Sequence, residues 1–160
     1  MRFLNGWREK RLAQGIRTKA QDVLFQGTNL VVRDRVRERL LRYRIPALHV
    51  HPSIYIDDQD EWHEDYWYLT FADRFDCWDR NASNYDKNDP PVNLGGVDYY
   101  QVYNHKFEPT LMKDTPLEQR LLFKLGGTLD ADIVAHESIL TAVFGSPGDN
   151  GAAYVRVSDY

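Results

Sequence analysis

Early in the chain apolar residues recur at helical spacing. Val32, Val36 and Leu40 stand at i, i+4 and i+8 with Leu41 beside them, while Arg33, Arg35, Arg37, Arg39 and Arg42 fall elsewhere around the turn. This predicts a helix over 31–44, capped by Asn29, supported by a Glu38–Arg42 pair and ended by Pro46. Beyond Pro46 the period drops to two. Segments 47–50 and 53–56 are expected as short strands parted by Pro52. Over Trp62–Phe71, Trp67, Leu69 and Phe71 share one face while Tyr66, Tyr68 and Thr70 share the other, which predicts a central strand with both faces covered. Val97, Tyr99, Tyr103 and Phe107 alternate along a further strand. In 120–125, Leu121, Phe123 and Leu125 oppose Arg120 and Lys124, and Gly126-Gly127 stops the run. A second helix is expected over 131–144, capped by Thr128 or Asp130 and ended by Gly145 and Pro147; Ala153, Val155 and Val157 predict a last strand.

Helix, several strands, helix and strand in that order predict an α+β fold: a single domain, with a mostly antiparallel sheet packed against two main helices. Residues 29–160 would form that domain. Residues 1–28 would be a basic arm or short helix ahead of it. Within them, Asp22-Val23-Leu24-Phe25-Gln26-Gly27 resembles a viral-protease cleavage tag, but Thr28 stands where such a tag carries proline, so the match is read as coincidence. The longest loop is 79–96, rich in Asn, Asp, Pro and Gly.

Composition narrows the classes. At 160 residues with 42% hydrophobic and 28% charged side chains, the chain suits one globular core. A lone cysteine, Cys77, excludes an intrachain disulfide and a cysteine zinc cluster, and fits a reducing compartment. No apolar run reaches the ~18–20 residues that span a bilayer, and Arg8, Glu9, Lys10 and Arg11 break any signal-peptide core, so a cytoplasmic protein without a membrane partner is expected. The net charge of −4 hides a polarity: through Val50 the balance is +8, and from His51 onward it is −12. Such segregation favours charged partners. Four Trp, ten Tyr and seven Phe add residues that suit protein interfaces.

Few residue sets point to chemistry. His49-Val50-His51 puts two imidazoles on one strand face, and with His63 they could hold a metal; the blander alternative is histidines at a sheet margin. His136 falls on the apolar stripe of the second predicted helix, the place of a core histidine rather than a base, and Glu137 is followed by no HExxH pattern. Cys77 lies between Asp76 and Trp78, where negative charge opposes a thiolate. Gly95-Gly96 and Gly126-Gly127 lack the context of a nucleotide loop. The arginines of the first helix offer a phosphate site, but a pI near 5.7 and their spread around the helix argue against a nucleic-acid partner.

The acidic run carries the most weight. Asp57, Asp58, Asp60, Glu61, Glu64 and Asp65 place six carboxylates in nine residues around Trp62 and His63. A hairpin turn between Ile56 and Trp62 would thrust the first four into solvent. They form either a solvated loop or a surface for a basic protein cleft, with Trp62 as anchor. A calcium loop of the EF-hand type fails for want of its turn Gly and twelfth-position Glu.

From about residue 29 to 157 the chain resembles a family of bacterial immunity proteins from polymorphic toxin systems, immunity family eleven. The resemblance rests on Leu30-Val31-Val32-Arg33-Asp34-Arg35-Val36, Trp67-Tyr68-Leu69-Thr70-Phe71, and Phe75-Asp76-Cys77-Trp78-Asp79 with Ser83-Asn84-Tyr85. Arg120-Leu121-Leu122-Phe123-Lys124-Leu125, leading to the helix that ends at Phe144, completes it. It implies a protein without catalytic activity or cofactor that neutralises one cognate toxin, delivered by type VI or contact-dependent secretion. The expected partner is that toxin, through a basic site, with the protein a monomer or small homo-oligomer. Expected contacts are Asp57, Asp58, Asp60, Glu61, Trp62, Glu64 and Asp65, then Trp78, Asp79 and Tyr85; Asp76 and Arg120 would hold the fold. The rival expectations are a small metal-dependent enzyme using His49, His51 and His63, and a nucleic-acid accessory protein using Arg33, Arg35, Arg37, Arg39 and Arg42.

Overall fold

The computed structural model describes residues 1–4, 8–16, 19–146, 148 and 150–157. Strands dominate, helices are short and most strand pairs are antiparallel, which is the α+β class in outline. No helix among the described residues is long and apolar enough to cross a membrane. Contacts group into two compact units.

The first unit comprises Met1–Tyr43, His49–Thr70 and Thr141–Ala152. It is built on a five-stranded sheet of order β1 (Arg2–Leu4), β4 (Leu48–Ile56), β5 (Trp62–Phe71), β3 (Asn29–Arg33) and β2 (Val23–Gln26). β5 is central, as its aromatic faces predict. β1 runs parallel to β4, and Phe3 packs with Val31, Tyr55 and Tyr66 in one core cluster. The expected arm of residues 1–28 therefore supplies two strands and the short helix α1 (Arg8–Ala13), although residues 5–7 and 17–18 lie outside the described set. The boundary expected between residues 28 and 29 falls in the two-residue turn of the β2–β3 hairpin, where Gly27 takes φ 59°.

The first predicted helix is half strand. Val31 and Val32, both fully buried, pair with Tyr68 and Trp67 across β3–β5, and only α2 (Asp34–Leu40) is helical. A run of three consecutive buried apolar residues (Leu30, Val31, Val32) covered on both faces suits a strand. Val36 and Leu40 are the helix's buried positions, as the spacing foresaw. Asn29 is no helix cap: it sits in β3 and its Nδ2 donates to the Tyr68 hydroxyl at 2.8 Å. The two strands expected on either side of Pro52 form one continuous β4. Thr141–Ala152 joins this unit from late in the chain, with Val23 N donating to Asn150 O at 2.9 Å.

The second unit comprises Arg44–Leu48, Phe71–Leu140 and Ala153–Tyr160. Its largest sheet sets β11 (Leu122–Leu125) between β6 (Arg74–Phe75), parallel, and β12 (Ile133–Ala135), antiparallel. Cys77, Phe123 and Leu125 form its core with Phe75, Phe107, Met112 and Val134. All four residues of β11 are buried, so Lys124 lies inside and not on the wet face that alternation predicts. Burial, then the charge of Arg74, lowers its pKa.

The second predicted helix is corrected likewise. Thr128 Oγ1 accepts from Ala131 N, but Ala131 at φ 52° turns the chain, and the β-branched Ile133 and Val134 pair with β11. The helix begins only at α5 (Glu137–Ile139) and passes into a π turn over Leu140–Phe144. His136 is its N-cap: its ring nitrogen Nδ1 accepts from Ser138 N at 3.2 Å, so it is not a core histidine. Pro147, one of its expected stops, lies outside the described residues. The strand predicted at 97–107 is broken into β9 (Val97–Tyr99) and β10 (Val102–Asn104), and the last predicted strand is irregular chain. β10 pairs with β7 (Asn84–Tyr85), β9 with β8 (Val92–Leu94); α3 (Pro109–Asp114) and α4 (Leu117–Arg120) precede β11.

Candidate functional site

The acidic turn joins β4 to β5 in the first unit, and its residues divide sharply. Asp57 and Asp58 are only 4% and 3% exposed, against the expectation of solvent. Asp57 organises the turn from within: its Oδ1 accepts from Gln59 N at 2.8 Å and Glu61 N at 3.0 Å, while Oδ2 accepts from His63 Nε2 at 2.9 Å. An aspartate preceding a turn folds its carboxylate onto the following amides for this reason. Burial by itself would raise its pKa; the His63 ring and the two amides outweigh that and hold it below the usual carboxylate value. Neither Asp57 nor Asp58 is an exposed contact.

What the turn presents is Asp60, Glu61, Trp62 and Glu64, all exposed, with the Trp62 side chain 57% accessible. Asp60 takes φ 65°, a left-handed position that Asp tolerates better than most residues. The Arg2 guanidinium stands 5.1 Å from the Trp62 ring centre. Asp65, half-exposed, pairs with Arg33 Nε at 3.3 Å.

Behind this surface runs a polar relay. Arg33 Nη2 lies 3.4 Å from His63 Nδ1, the guanidinium rests over the Tyr66 ring, and Tyr55 stacks on the imidazole with centroids 5.9 Å apart. The ligand atoms of Asp57, Glu61 and His63 lie within 4.8 Å of one another, the spacing of a cation site. Their chemistry is that of a hydrogen-bond network. Both Asp57 oxygens already accept hydrogen bonds, and a guanidinium charge faces the far nitrogen of the ring, which opposes a second cation there.

The histidine trio expected for a metal enzyme does not assemble. His49 and His51 stack on β4 with centroids 6.5 Å apart, and His51 Nε2 meets Thr70 Oγ1 at 3.0 Å, whereas His63 belongs to Asp57. The arginines proposed for nucleic acid are largely engaged by the protein. Arg35 pairs with Asp22, Arg37 stacks on Trp67 at 3.8 Å, and Trp67 Nε1 donates to Asp34. Arg33 is held as above. Only Arg39 and Arg42 present exposed side chains without a partner among the described residues.

The second-choice contacts lie in the second unit. Trp78 is 2% exposed, edge-on to Tyr85 and Tyr100 at 5.1 and 5.7 Å, so it is core and not contact. Asp79 caps its loop, accepting from Asn81 N at 2.7 Å and Ala82 N at 3.1 Å. Asp76 holds the neighbouring Arg80 through two bonds of 2.5 and 2.6 Å. Cys77 is buried, and burial with Asp76 beside it pushes the thiol up to about 12. Tyr85 remains half-buried and lines an open cavity of ≈ 320 Å³ with Tyr100, Asp86, Asp89, Pro90 and Pro91. Sequence reasoning missed this cavity and the β8–β9 hairpin beside it. Gly95-Gly96 between two short apolar alternations was the available signal, for two glycines at positive φ (64° and 86°) make a tight hairpin turn. No known family model matches the chain, and no curated protein matches it.

Proposed function

We propose that this protein binds and neutralises a cognate secreted antibacterial toxin, in the cytoplasm of the producing cell or its kin, by covering a basic surface of that toxin. The observation that carries the proposal is an exposed tryptophan with exposed carboxylates on either side of it in the chain, Trp62 among Asp60, Glu61 and Glu64, on a turn that buried Asp57 holds in one shape. A rigid aromatic anchor contributes area at little entropic cost, while surrounding charge steers encounter. The excess of −12 from His51 onward and the engaged state of the histidines and of Arg33, Arg35 and Arg37 support the same reading, while the toxin as partner is what the resemblance drawn from the sequence alone implies. In the first unit the contact set is thereby narrowed to Asp60, Glu61, Trp62 and Glu64, with Asp65 at its margin.

The test starts at the adjacent gene, where a large secreted protein with a variable C-terminal domain is expected; co-expression with that domain and stopped-flow association of the purified pair follow. Wild-type protein should restore growth. Asp60→Lys with Glu61→Lys and Glu64→Lys should slow association by about tenfold or more at low salt, and Trp62→Ala should speed dissociation by roughly thirtyfold, the equivalent of a ~2 kcal/mol anchor. Rescue and rates indifferent to all four changes would refute the proposed surface. Failure of the wild-type protein to rescue would refute the function.

A further inference from the structure

We infer that the recess between Tyr85 and Tyr100 is a seat for one basic side chain, a guanidinium or ammonium, of a partner protein, and that the adjoining hairpin face receives the apolar residues flanking it. The site stands on its own geometry; the identity of its partner rests on the function proposed above.

At ≈ 320 Å³ the recess is at the lower end of small-molecule pockets, so a single side chain fits it better than a metabolite does. Two tyrosine rings meet edge to face at 5.5 Å in its wall, and Trp78 braces both from behind. Aromatic faces carry negative potential and draw cations. The molecule displays this attraction itself: Lys87 Nζ lies 5.3 Å from the Tyr85 ring centre, an internal stand-in for the incoming charge. Asp86 and Asp89 also line the recess, two carboxylates against the single Lys87. Asp86 Oδ1 accepts from Asn88 N at 2.9 Å and Asp89 N at 3.2 Å, which fixes the wall. This charge balance repels phosphate and so disfavours nucleic acid; it also disfavours a second copy, which would bring the same carboxylates together.

Chain continuity joins the recess to the hairpin. Pro91 leads directly into β8, and Tyr99 into Tyr100. The register pairs Val92 with Tyr99 and Leu94 with Val97, so these four share one face, while Asn93 and Asp98 bond at 2.7 Å on the other. Val92, Leu94 and Val97 are 45%, 59% and 48% exposed, and β8–β9 is a two-stranded sheet of its own. Tyr99, the fourth residue of that face, is half-buried with the Arg74 guanidinium 5.2 Å from its ring centre, so the exposed apolar part is Val92, Leu94 and Val97. Three exposed apolar side chains beside an anionic aromatic recess are complementary to a basic residue with apolar neighbours.

The experiment follows the backbone amide signals of residues 85–100 by NMR as the isolated protein is titrated with Nα-acetyl-arginine methylamide, with the citrulline analogue as its uncharged isostere. The arginine probe should give saturable shifts in the millimolar range and citrulline none. Asp89→Asn should weaken binding about threefold. Lys87→Ala, by removing the internal competitor, should tighten it about threefold, a change that a merely structural role would not produce. Equal shifts from both probes, no shift from either, or weaker binding by Lys87→Ala would overturn the inference. Arginine binding here in a protein that fails to rescue growth would leave the seat standing and the neutralising function refuted.

Discussion

Replacing Asp57 with alanine would release the turn that carries the exposed acidic face. The side chain is 4% exposed and accepts three hydrogen bonds, two of them from backbone amides that have no other acceptor within the turn. A hydrogen bond to a charged group contributes about 1.5–3 kcal/mol, and a buried donor left unmet costs about 1–3 kcal/mol. Gln59 and Glu61 are exposed, so water recovers part of the loss, and a net cost of about 2–3 kcal/mol is expected. In a chain of this length each kcal/mol moves the melting midpoint by roughly 2–4 °C, so the midpoint should fall by about 4–12 °C. Asp57→Asn keeps an acceptor for the amides but loses the charge facing His63, and should cost about 1 kcal/mol. Glu61→Ala, which removes only an exposed side chain, should stay within about 0.5 kcal/mol of wild type.

Acidity supplies a second axis for the same experiment. The folded pKa of Asp57 lies below its unfolded value, so its contribution is fully present above about pH 4 and is lost as pH falls through the lowered folded value. The gap between wild type and Asp57→Asn should therefore be wide at pH 7 and narrow toward pH 3. Circular dichroism melts at both values read it directly. A midpoint for Asp57→Ala equal to that of Glu61→Ala, or a gap that widens on acidification, would refute the role given to this carboxylate.

Other consequences follow from the second unit. A Cβ at Gly126 would lie 2.8 Å from Asp76 N, 3.0 Å from Phe75 C and 3.1 Å from Arg74 O, all backbone atoms that cannot swing aside, so Gly126→Ala should destabilise by about 2–3 kcal/mol in a urea titration; a neutral result would mean that β6 and β11 can separate cheaply. Cys77, buried with its thiol raised to about 12, should react with a thiol reagent at pH 8 only in denaturant, and rapid labelling of the native protein would contradict the core in which it is placed.

Alternation survived translation into structure in full only where aromatics filled both faces. The strand Trp62–Phe71 was legible to the residue, because two sets of aromatics at period two leave one conformation that buries both. The α+β class in outline was legible too. Val32 and Val36 at i, i+4 were not decisive, since a spacing of four is shared by a helix and by alternate residues of a strand. What chose between them was Tyr68 and Trp67 waiting opposite Val31 and Val32. The same ambiguity misplaced Ile133 and Val134, whose partner strand lies some ten residues away in sequence.

Charge was readable as composition but not as location. Six carboxylates in nine residues look alike on paper; whether one meets water depends on amides and rings that only the folded chain brings within about 3 Å. Asp57 therefore turns inward to accept from Gln59, Glu61 and His63, and Glu61 is left outside. Trp62 and Trp78 show the same for aromatics, one 57% and the other 2% exposed. The sequence alone determined which side chains exist to be buried or displayed, and the periodicities that restrict each segment. Tertiary structure decided which of them found partners, because a polar or aromatic group is retained in the interior only where a specific complement lies opposite it.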